Sequence, residues 1–284
     1  MQVPQPLQNK KKLSIMEQNE IKDISSYLQN MSKSIEDKLF FTKFLPKDKY
    51  VFIDFGCADG TLLNVLRDIY GDSCTYIGYD KSPEMIAYAE SKCEDTKGIM
   101  YFTASWGVVR TAALNAGSGK AIVLILSSVI HEIYSYGTVE SIEEDWKRVL
   151  GIAKYVCIRD MMCSQYLSTV VDNYSRREIN QIFASKLNLL LDFESRWGSI
   201  NTRKNLLHFL LKYRWSTNWL REVNENYFPI SVEELLEKFK EKYTLVYLER
   251  FKIPFLEECW LRDFNICIGD YTHIKAIFKI KPNK

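Results

Sequence analysis

Three carboxylates in the first third of the chain follow or separate apolar runs that read as buried strands. Asp54 ends one run, Asp80 ends the next, and Asp59 lies in the turn between them. A carboxylate at a strand end can accept hydrogen bonds from the hydroxyls or amines of a ligand. A strand–helix–strand unit that binds nothing would leave all three acids unexplained, so their positions predict a ligand site.

The turn after Asp54 is built from small residues. Gly56 and Gly60 allow backbone angles and close approaches that a Cβ would block. A helical pattern begins near Thr61, and the free amide groups at its start favour an anionic group above the turn. A dinucleotide site would require G-x-G-x-x-G. Here Ala58 occupies the third position of that motif and Thr61 the sixth, which disfavours a nucleotide-dependent oxidoreductase.

The spacing D-x-G-x-A-x-G over residues 54–60 resembles the first motif of class I S-adenosylmethionine-dependent methyltransferases. A second match follows, in which a strand ends at Asp80 and continues as D-x-S-x-x-M, with Ser82 as a helix N-cap and Pro83 in the first turn. In that family the acid after the second strand binds both ribose hydroxyls. The resemblance implies S-adenosylmethionine as cofactor and S-adenosylhomocysteine as product, without indicating a subfamily.

The resemblance also implies which residues surround the cofactor. They are Asp54, Gly56, Cys57, Ala58, Gly60, Asp80, Lys81, Met85, Ser105, Trp106, Ser127 and Ser128. Two of them depart from the common family pattern. Ser105 stands where an Asp often accepts from the adenine amino group, and Lys81 replaces a residue that is often apolar. Trp106 has two interpretations, stacking on the base or packing in the core.

Continuous apolar strands that alternate with helices predict a central parallel sheet covered on both faces. The fold class is therefore α/β, a Rossmann-like seven-stranded mostly parallel sheet, with N-terminal helices and a helical cap insertion after strand five. The predicted strands cover residues 50–55, 75–80, 99–104, 121–126, 155–158, 243–251 and 272–280, the last two as an antiparallel pair. The predicted helices cover residues 15–44 (as two helices), 61–70, 83–92, 107–116, 139–150, 166–183, 186–193, 202–224 and 231–241.

This pattern predicts three regions. Residues 1–45 form an N-terminal tail and helices, and residues 46–162 with 230–284 form the cofactor-binding core. Residues 163–229 form the helical insertion, called here the cap. The resemblance to the methyltransferases implies that this cap binds the acceptor.

The best candidates for catalysis follow the fourth and fifth strands. His131 titrates near neutrality when unperturbed, Glu132 could orient it, and Asp160 faces the same cleft. Three interpretations of His131 remain open, namely a general base, a wall of the cofactor or acceptor pocket, and core packing. Arg159 and Asp160 are either cleft residues or a structural ion pair.

The cap carries interleaved basic and aromatic residues. They are Arg203, Lys204, His208, Phe209, Lys212, Tyr213, Arg214, Trp215, Trp219 and Arg221. Cations for phosphate and flat rings for bases suit single-stranded nucleic acid. The same residues also fall at helical spacing, so a solvated basic face over a small core is the competing interpretation.

Composition limits the remaining classes. The chain has 284 residues, a formal charge of +2 and seven cysteines without a C-x-x-C pair. Near-neutral charge gives no general preference for polyanions. Scattered cysteines favour free thiols in a reducing cytoplasm over disulfides or zinc, so we expect a cytoplasmic protein with no metal site. No apolar run approaches the length of a membrane span, so no membrane association is expected.

Two functions of different class follow from the sequence. The first is an S-adenosylmethionine-dependent methyltransferase that acts on an unidentified acceptor, either nucleic acid (RNA) or a small metabolite. The alternative is a non-catalytic regulatory protein that binds S-adenosylmethionine or a related nucleoside.

Overall fold

Seven segments pair into one sheet, because an extended backbone satisfies its polar groups only through neighbouring strands. The inner segments at residues 50–55, 75–79, 121–127 and 155–161 are largely buried on both faces. The computed structural model describes residues 34–93, 98–172 and 174–282. The strands are β1 (Tyr50–Phe55), β2 (Thr75–Tyr79), β3 (Met100–Thr103), β4 (Ala121–Ser127), β5 (Tyr155–Met161), β6 (Tyr243–Phe251) and β7 (His273–Ile280).

The strand order is β3-β2-β1-β4-β5-β7-β6. Strands β1 to β5 pair in parallel, and β7 runs antiparallel to both β5 and β6. This order confirms the predicted Rossmann-like, mostly parallel seven-stranded fold. The carboxyl ends of β1, β2, β4 and β5 therefore meet along one edge of the sheet, where ligands bind in open α/β folds.

Helices cover the sheet and form the cap. They are α1 (Ile35–Lys38), α2 (Thr61–Tyr70), α3 (Pro83–Lys92), α4 (Trp106–Ala116), α5 (Ile130–Tyr136), α6 (Val139–Val149), α7 (Arg176–Ile182), α8 (Leu187–Trp197), α9 (Arg203–Lys212), α10 (Trp219–Asn224), α11 (Val232–Phe239) and α12 (Pro254–Phe264). Short 3-10 turns precede or separate several of them. The N-terminal tail and helix expected before residue 34 lie outside the described residues.

Several helix predictions differ from the structure. The predicted helix over 202–224 is divided into α9 and α10 by a 3-10 turn (Ser216–Asn218), and α5 was not among the predicted helices. The predicted helix over 166–183 is a 3-10 turn (Gln165–Ser168) followed by α7, because Ser175 and Glu178 form a capping box that begins a new helix. Helix α12 has no counterpart among the predictions. Its signals were Pro254 in the first turn and buried Trp260 and Phe264 at helical spacing.

Hydrophobic residues divide into three packed clusters. One lies on the sheet face that α4, α5, α6 and α11 cover, and a second lies on the opposite face beneath α1 and α2. The third fills the cap and is completed by α12, whose Trp260 donates its indole N–H to the Leu210 carbonyl at 2.9 Å. The cap core thus draws on residues beyond the predicted cap boundary at 229.

No helix among the described residues is long and apolar enough to cross a membrane. Across the same described ranges, no group of three or more His, Cys, Asp or Glu side chains is placed to hold a metal ion.

Gly78 on β2 tests how tightly the sheet packs beneath the predicted cofactor loop. A Cβ at this position would overlap the Phe102 ring and lie 2.8 Å from the Cys57 sulfur. We expect Gly78→Ala to lower the free energy of unfolding by about 1–3 kcal/mol, the usual cost of overpacking a core. Urea unfolding measures the change. Gly269→Ala, which meets nothing within 4 Å, is the matched control and should stay within about 0.5 kcal/mol of wild type.

Candidate functional site

The loop between β1 and α2 takes a backbone path that small residues permit. Gly56 and Gly60 have φ angles of 82° and 72°, and Ala58 has a φ of 45°. A Cβ on Gly56 would lie 2.7 Å from a methyl carbon of Val129, so glycine lets the loops after β1 and β4 pack together. The Asp80 carboxylate accepts the Ala58 N–H at 3.0 Å, which ties the loop to the end of β2.

Asp80 is placed as the sequence predicted, at the carboxyl end of β2. Its second oxygen accepts the Ser82 N–H at 2.9 Å, and burial raises the pKa of its carboxyl group above the usual value. Each carboxylate oxygen has a second lone pair and can still accept from a ligand hydroxyl. The geometry therefore fits a ribose-binding role.

The turn after β3 presents one polar and one aromatic side chain. Ser105 is exposed, and its hydroxyl makes no capping bond to α4. Trp106 packs on the rings of Tyr79 and Phe55, with centroids 5.4 and 5.6 Å apart. Trp106 is only partly buried, so the structure shows the packing interpretation and leaves base stacking as a prediction.

Three other predicted cofactor residues have partners inside the protein. The Lys81 ammonium lies 2.6 Å from the Asp145 carboxylate on α6. Met85 donates its backbone N–H to the Ser82 hydroxyl, and Cys57 is buried in the loop, which raises the pKa of its thiol. Their contacts to the cofactor stay predictions.

The end of β4 contributes two serines with different surroundings. Ser128 has a left-handed φ of 57°, and its hydroxyl accepts from the Arg159 guanidinium at 3.0 Å. The Ser127 hydroxyl is buried without a hydrogen-bond partner among the described residues. Native proteins rarely leave a buried polar atom unpaired. This orphaned hydroxyl beside the loop therefore fits a site that a polar ligand completes.

His131 on α5 is held between two carboxylates. Its Nδ1 lies 2.9 Å from Asp160 and its Nε2 lies 3.8 Å from Glu225, and only 5% of the residue is exposed. Burial lowers the pKa of the imidazole, but the attraction of Asp160 and Glu225 outweighs it and raises the pKa to about 9. At neutral pH His131 is therefore a buried imidazolium, which cannot accept a proton. This arrangement disfavours the general-base interpretation.

Asp160 is completely buried, and its carboxylate is hydrogen-bonded to groups of the protein itself. Besides His131, it accepts the backbone N–H groups of Ile130 and Met161, both at 2.7 Å. Its role in this geometry is to position His131 and the start of α5.

Glu132 connects the same cluster to the cap. Its carboxylate lies 2.5 Å from the Arg221 guanidinium on α10, and Arg221 Nε lies 2.9 Å from Glu225. The Tyr136 hydroxyl donates to Glu225 at 2.8 Å. These contacts form a buried ionic cluster that joins α5 to the cap. We call this set, with His131 and Asp160, the α5–cap cluster.

The predicted ion pair between Arg159 and Asp160 is absent from the described structure. Neighbouring residues on a strand point to opposite faces. Arg159 pairs with Asp37 on α1 at 2.9 Å, whereas Asp160 faces His131. Arg159 is thus a link between the sheet and α1.

The basic residues of the cap do not form one solvated face. Lys212 and His208 are buried, and the Lys212 ammonium donates to the Glu225 carbonyl at 2.5 Å. Arg203 is held by Asp172 and by Asp270, the latter at 3.1 Å. Phe209 and Tyr213 belong to the cap core. The helical spacing of these side chains thus reflects packing in the small core that the competing interpretation expected, but without the solvated basic face that it also expected.

Sequence reasoning missed two contributors to the edge of the sheet. Glu225 was not predicted as a site residue, because its contact with His131 depends on how the cap folds back onto α5. Lys38 is buried at the end of α1. A lysine in an amphipathic segment gives no sequence signal of burial.

Residues 46–101, from the residues before β1 into β3, match a family model described as a methyltransferase domain. No curated protein sequence gives a significant match.

Several solved structures resemble the fold at low identity. The pyocyanin biosynthetic protein PhzM has a TM-score of 0.48 and 10% identity over 90% of this chain and 57% of its own. A protein described as an S-adenosylmethionine-dependent methyltransferase from Listeria monocytogenes has a TM-score of 0.47 and 12% identity over 88% of this chain and 100% of its own. A structure described as a pericyclic reaction enzyme has a TM-score of 0.41 and 10% identity over 87% of this chain. This chain spans 47% of that one, about half its length.

The raised pKa of His131 makes stability depend on pH. The pKa of His131 is about 9 in the folded protein and 6.5 when unfolded, so its charge stabilises the folded state. This stabilisation is complete at pH values below 6.5 and is lost as the pH rises through about 9. We expect the stability difference between wild type and His131→Asn to fall by about 3 kcal/mol between about pH 6.5 and pH 10. Urea unfolding across this range measures it.

His208→Asn is the control for that experiment. Burial lowers the pKa of His208, so this residue is neutral throughout the same pH range and its substitution should give a constant difference. Lys212 and Glu222, whose burial moves the pKa of each to about 7, also titrate in this range. Taking the difference from wild type removes their shared contribution. A difference for His131→Asn that does not change with pH would contradict the buried imidazolium.

Proposed function

We propose that this chain, which carries a class I S-adenosylmethionine-dependent methyltransferase domain, transfers the methyl group of its cofactor to a small-molecule acceptor. The observation that carries the proposal is the pair of strand-end acids, Asp54 and Asp80, on either side of a loop with three positive φ angles. This geometry lies within the segment that matches the methyltransferase model.

Different residues at the sheet edge would bind different parts of the cofactor. Asp80 would accept from the ribose hydroxyls, and the exposed Ser105 hydroxyl with the adjacent Trp106 ring would border the adenine. The loop from Gly56 to Gly60 would pass beneath the methionine portion, where a side chain would clash. These assignments use groups that the structure leaves with free lone pairs or exposed atoms.

S-adenosylmethionine supplies an electrophilic methyl group together with its leaving group, so the protein mainly aligns the acceptor and excludes water. Alignment alone can contribute roughly 7–11 kcal/mol to lowering the barrier. His131 and Asp160, predicted as catalytic residues, would act here as positioning residues, since the imidazolium is already protonated. Glu132 would help to fix the cap through Arg221. The proposed acceptor is therefore one that needs no proton removal by His131.

The nature of the cap favours a small acceptor over RNA. Nucleic acid requires several accessible cations along a groove. Of the six basic residues between Arg203 and Arg221, the stretch that suggested nucleic acid, Lys212, His208 and Arg221 are buried inside the protein. Arg203 is paired with two carboxylates. These six residues therefore do not form a continuous stripe of accessible cations, which is the observation against RNA.

Transfer of label from methyl-labelled S-adenosylmethionine tests the acceptor class directly. With purified protein, we expect label to appear in a fractionated metabolite extract and none in total RNA, even at low salt, where phosphate contacts are strongest. Labelled RNA would overturn the assignment of a small acceptor. Binding of S-adenosylhomocysteine without transfer to either fraction would favour the non-catalytic alternative.

Asp80→Asn tests the placement of the ribose. Replacing the carboxylate removes charge-assisted hydrogen bonds to the hydroxyls, so we expect the affinity for S-adenosylhomocysteine to fall roughly tenfold or more. Isothermal titration calorimetry measures it. The exposed Asp68→Asn on α2 is the matched control and should bind like wild type. Unchanged affinity in Asp80→Asn would mean that the ribose lies elsewhere.

A further inference from the structure

Three polar side chains with little exposed surface belong to or flank the carboxyl ends of β1 and β4. Asp54 is 3% exposed, Lys38 is 7% exposed and Ser127 is 8% exposed. The Ser127 hydroxyl is sealed from solvent and unpaired, whereas the Asp54 carboxylate and the Lys38 ammonium keep slight solvent contact and have no hydrogen bond to another described residue. Burying an unpaired charge is costly, so two such charges of opposite sign in one place call for an explanation.

The register of the sheet puts two of these groups on the same face. Asp54 on β1 is aligned with Ile125 on β4, which is two residues from Ser127. Ser127 is in turn aligned with Arg159 on β5. Because side chains alternate along a strand, Asp54, Ser127 and Arg159 all project from one face, close to the edge where the strands end.

Helix α1 is fixed on that face by charge and by packing. The Asp37 carboxylate lies 2.9 Å from Arg159 and 2.5 Å from Lys275. Phe40 and Phe41, which follow α1, belong to the hydrophobic cluster on the same face. Lys38 follows Asp37 directly, so its backbone is held on the same face of the sheet.

Electrostatics agrees with this placement. Burial raises the pKa of Asp54 to about 7, and the charge of Lys38 opposes that rise. Burial likewise lowers the pKa of Lys38, and Asp54 and Asp59 oppose that fall. The two groups therefore interact across a gap without forming an ion pair within 4 Å in the described structure.

We infer that Lys38 completes the site for the zwitterionic amino-acid end of the cofactor, alongside Asp54, which the resemblance already places beside the cofactor. The Lys38 ammonium would bind the α-carboxylate, and the Asp54 carboxylate would accept from the α-ammonium, with Ser127 as a further hydrogen-bonding group. One ligand that carries both charges on the same carbon would compensate both buried residues at once. This inference rests on the proposed function, because it takes the cofactor to be S-adenosylmethionine, and it adds α1 to the binding site.

Calorimetric titration with two ligands separates the subsite from the rest of the pocket. S-adenosylhomocysteine carries the amino-acid end, and 5′-methylthioadenosine has the same nucleoside and a thioether without it. We expect Lys38→Met to weaken S-adenosylhomocysteine roughly tenfold or more and to change 5′-methylthioadenosine by less than about twofold. The exposed Lys43→Met, five residues away, is the control and should leave both affinities unchanged.

A third ligand assigns the carboxylate to Lys38. The decarboxylated analogue of S-adenosylhomocysteine keeps the amine, so wild type should bind it less tightly than the parent compound, and Lys38→Met should weaken it no further. Lys38→Arg, which keeps the charge, should restore most of the affinity for the parent.

The outcomes distinguish this inference from the proposed function. Wild type that binds neither nucleoside overturns both. Wild type that binds S-adenosylhomocysteine no better than its decarboxylated analogue overturns the Lys38 assignment alone, and this comparison requires no variant. An equal loss of both nucleosides in a folded Lys38→Met protein would show that Lys38 only supports the loop, and would also overturn the assignment.

Discussion

The desolvation of charge at the carboxyl edge of the sheet is the constraint on which the rest of the molecule depends. An isolated charge in a protein interior is unfavourable by several kcal/mol unless an opposite charge or a set of hydrogen bonds compensates it. Asp160 meets this condition with two backbone amides and the His131 imidazolium. Asp37 meets it with Arg159 and Lys275. Asp54 does not meet it within the described protein, and its raised pKa of about 7 reflects that deficit.

The pleat of β5 separates two charged systems that are adjacent in sequence. Arg159 faces α1 and helps to hold the N-terminal helix on one side of the sheet. Asp160 faces α5 and, through His131 and Glu225, anchors the cap from the other side. A shift of one residue in the register of β5 would exchange these partners and bury each charge against the wrong element. The register of this strand therefore positions both elements that border the predicted cofactor site.

The architecture was predictable because its signals are local. The alternation of apolar runs and helices gave the sheet, and the strand-end acids with small residues between them gave the loop and the position of Asp80. The α5–cap cluster was not predictable from the sequence. Its contact between His131 and Glu225 joins residues that are far apart in sequence, and they approach each other only because of how the cap packs. Burial of Lys38 and Lys212 was not predictable either, because lysine is mostly exposed in proteins and its sequence context gave no sign to the contrary.

The same contacts explain why the basic residues of the cap were ambiguous from the sequence. Their helical spacing is common to a nucleic-acid surface and to a helix that packs against its neighbours. The structure distinguishes the two by the partners of the cations, because Lys212 and Arg221 point inward to carbonyls and carboxylates. These two charged side chains stabilise the contact between the cap and α5, and they are buried from solvent. The basic residues between Arg203 and Arg221 are therefore in large part structural, because the fold of the cap uses their charges internally.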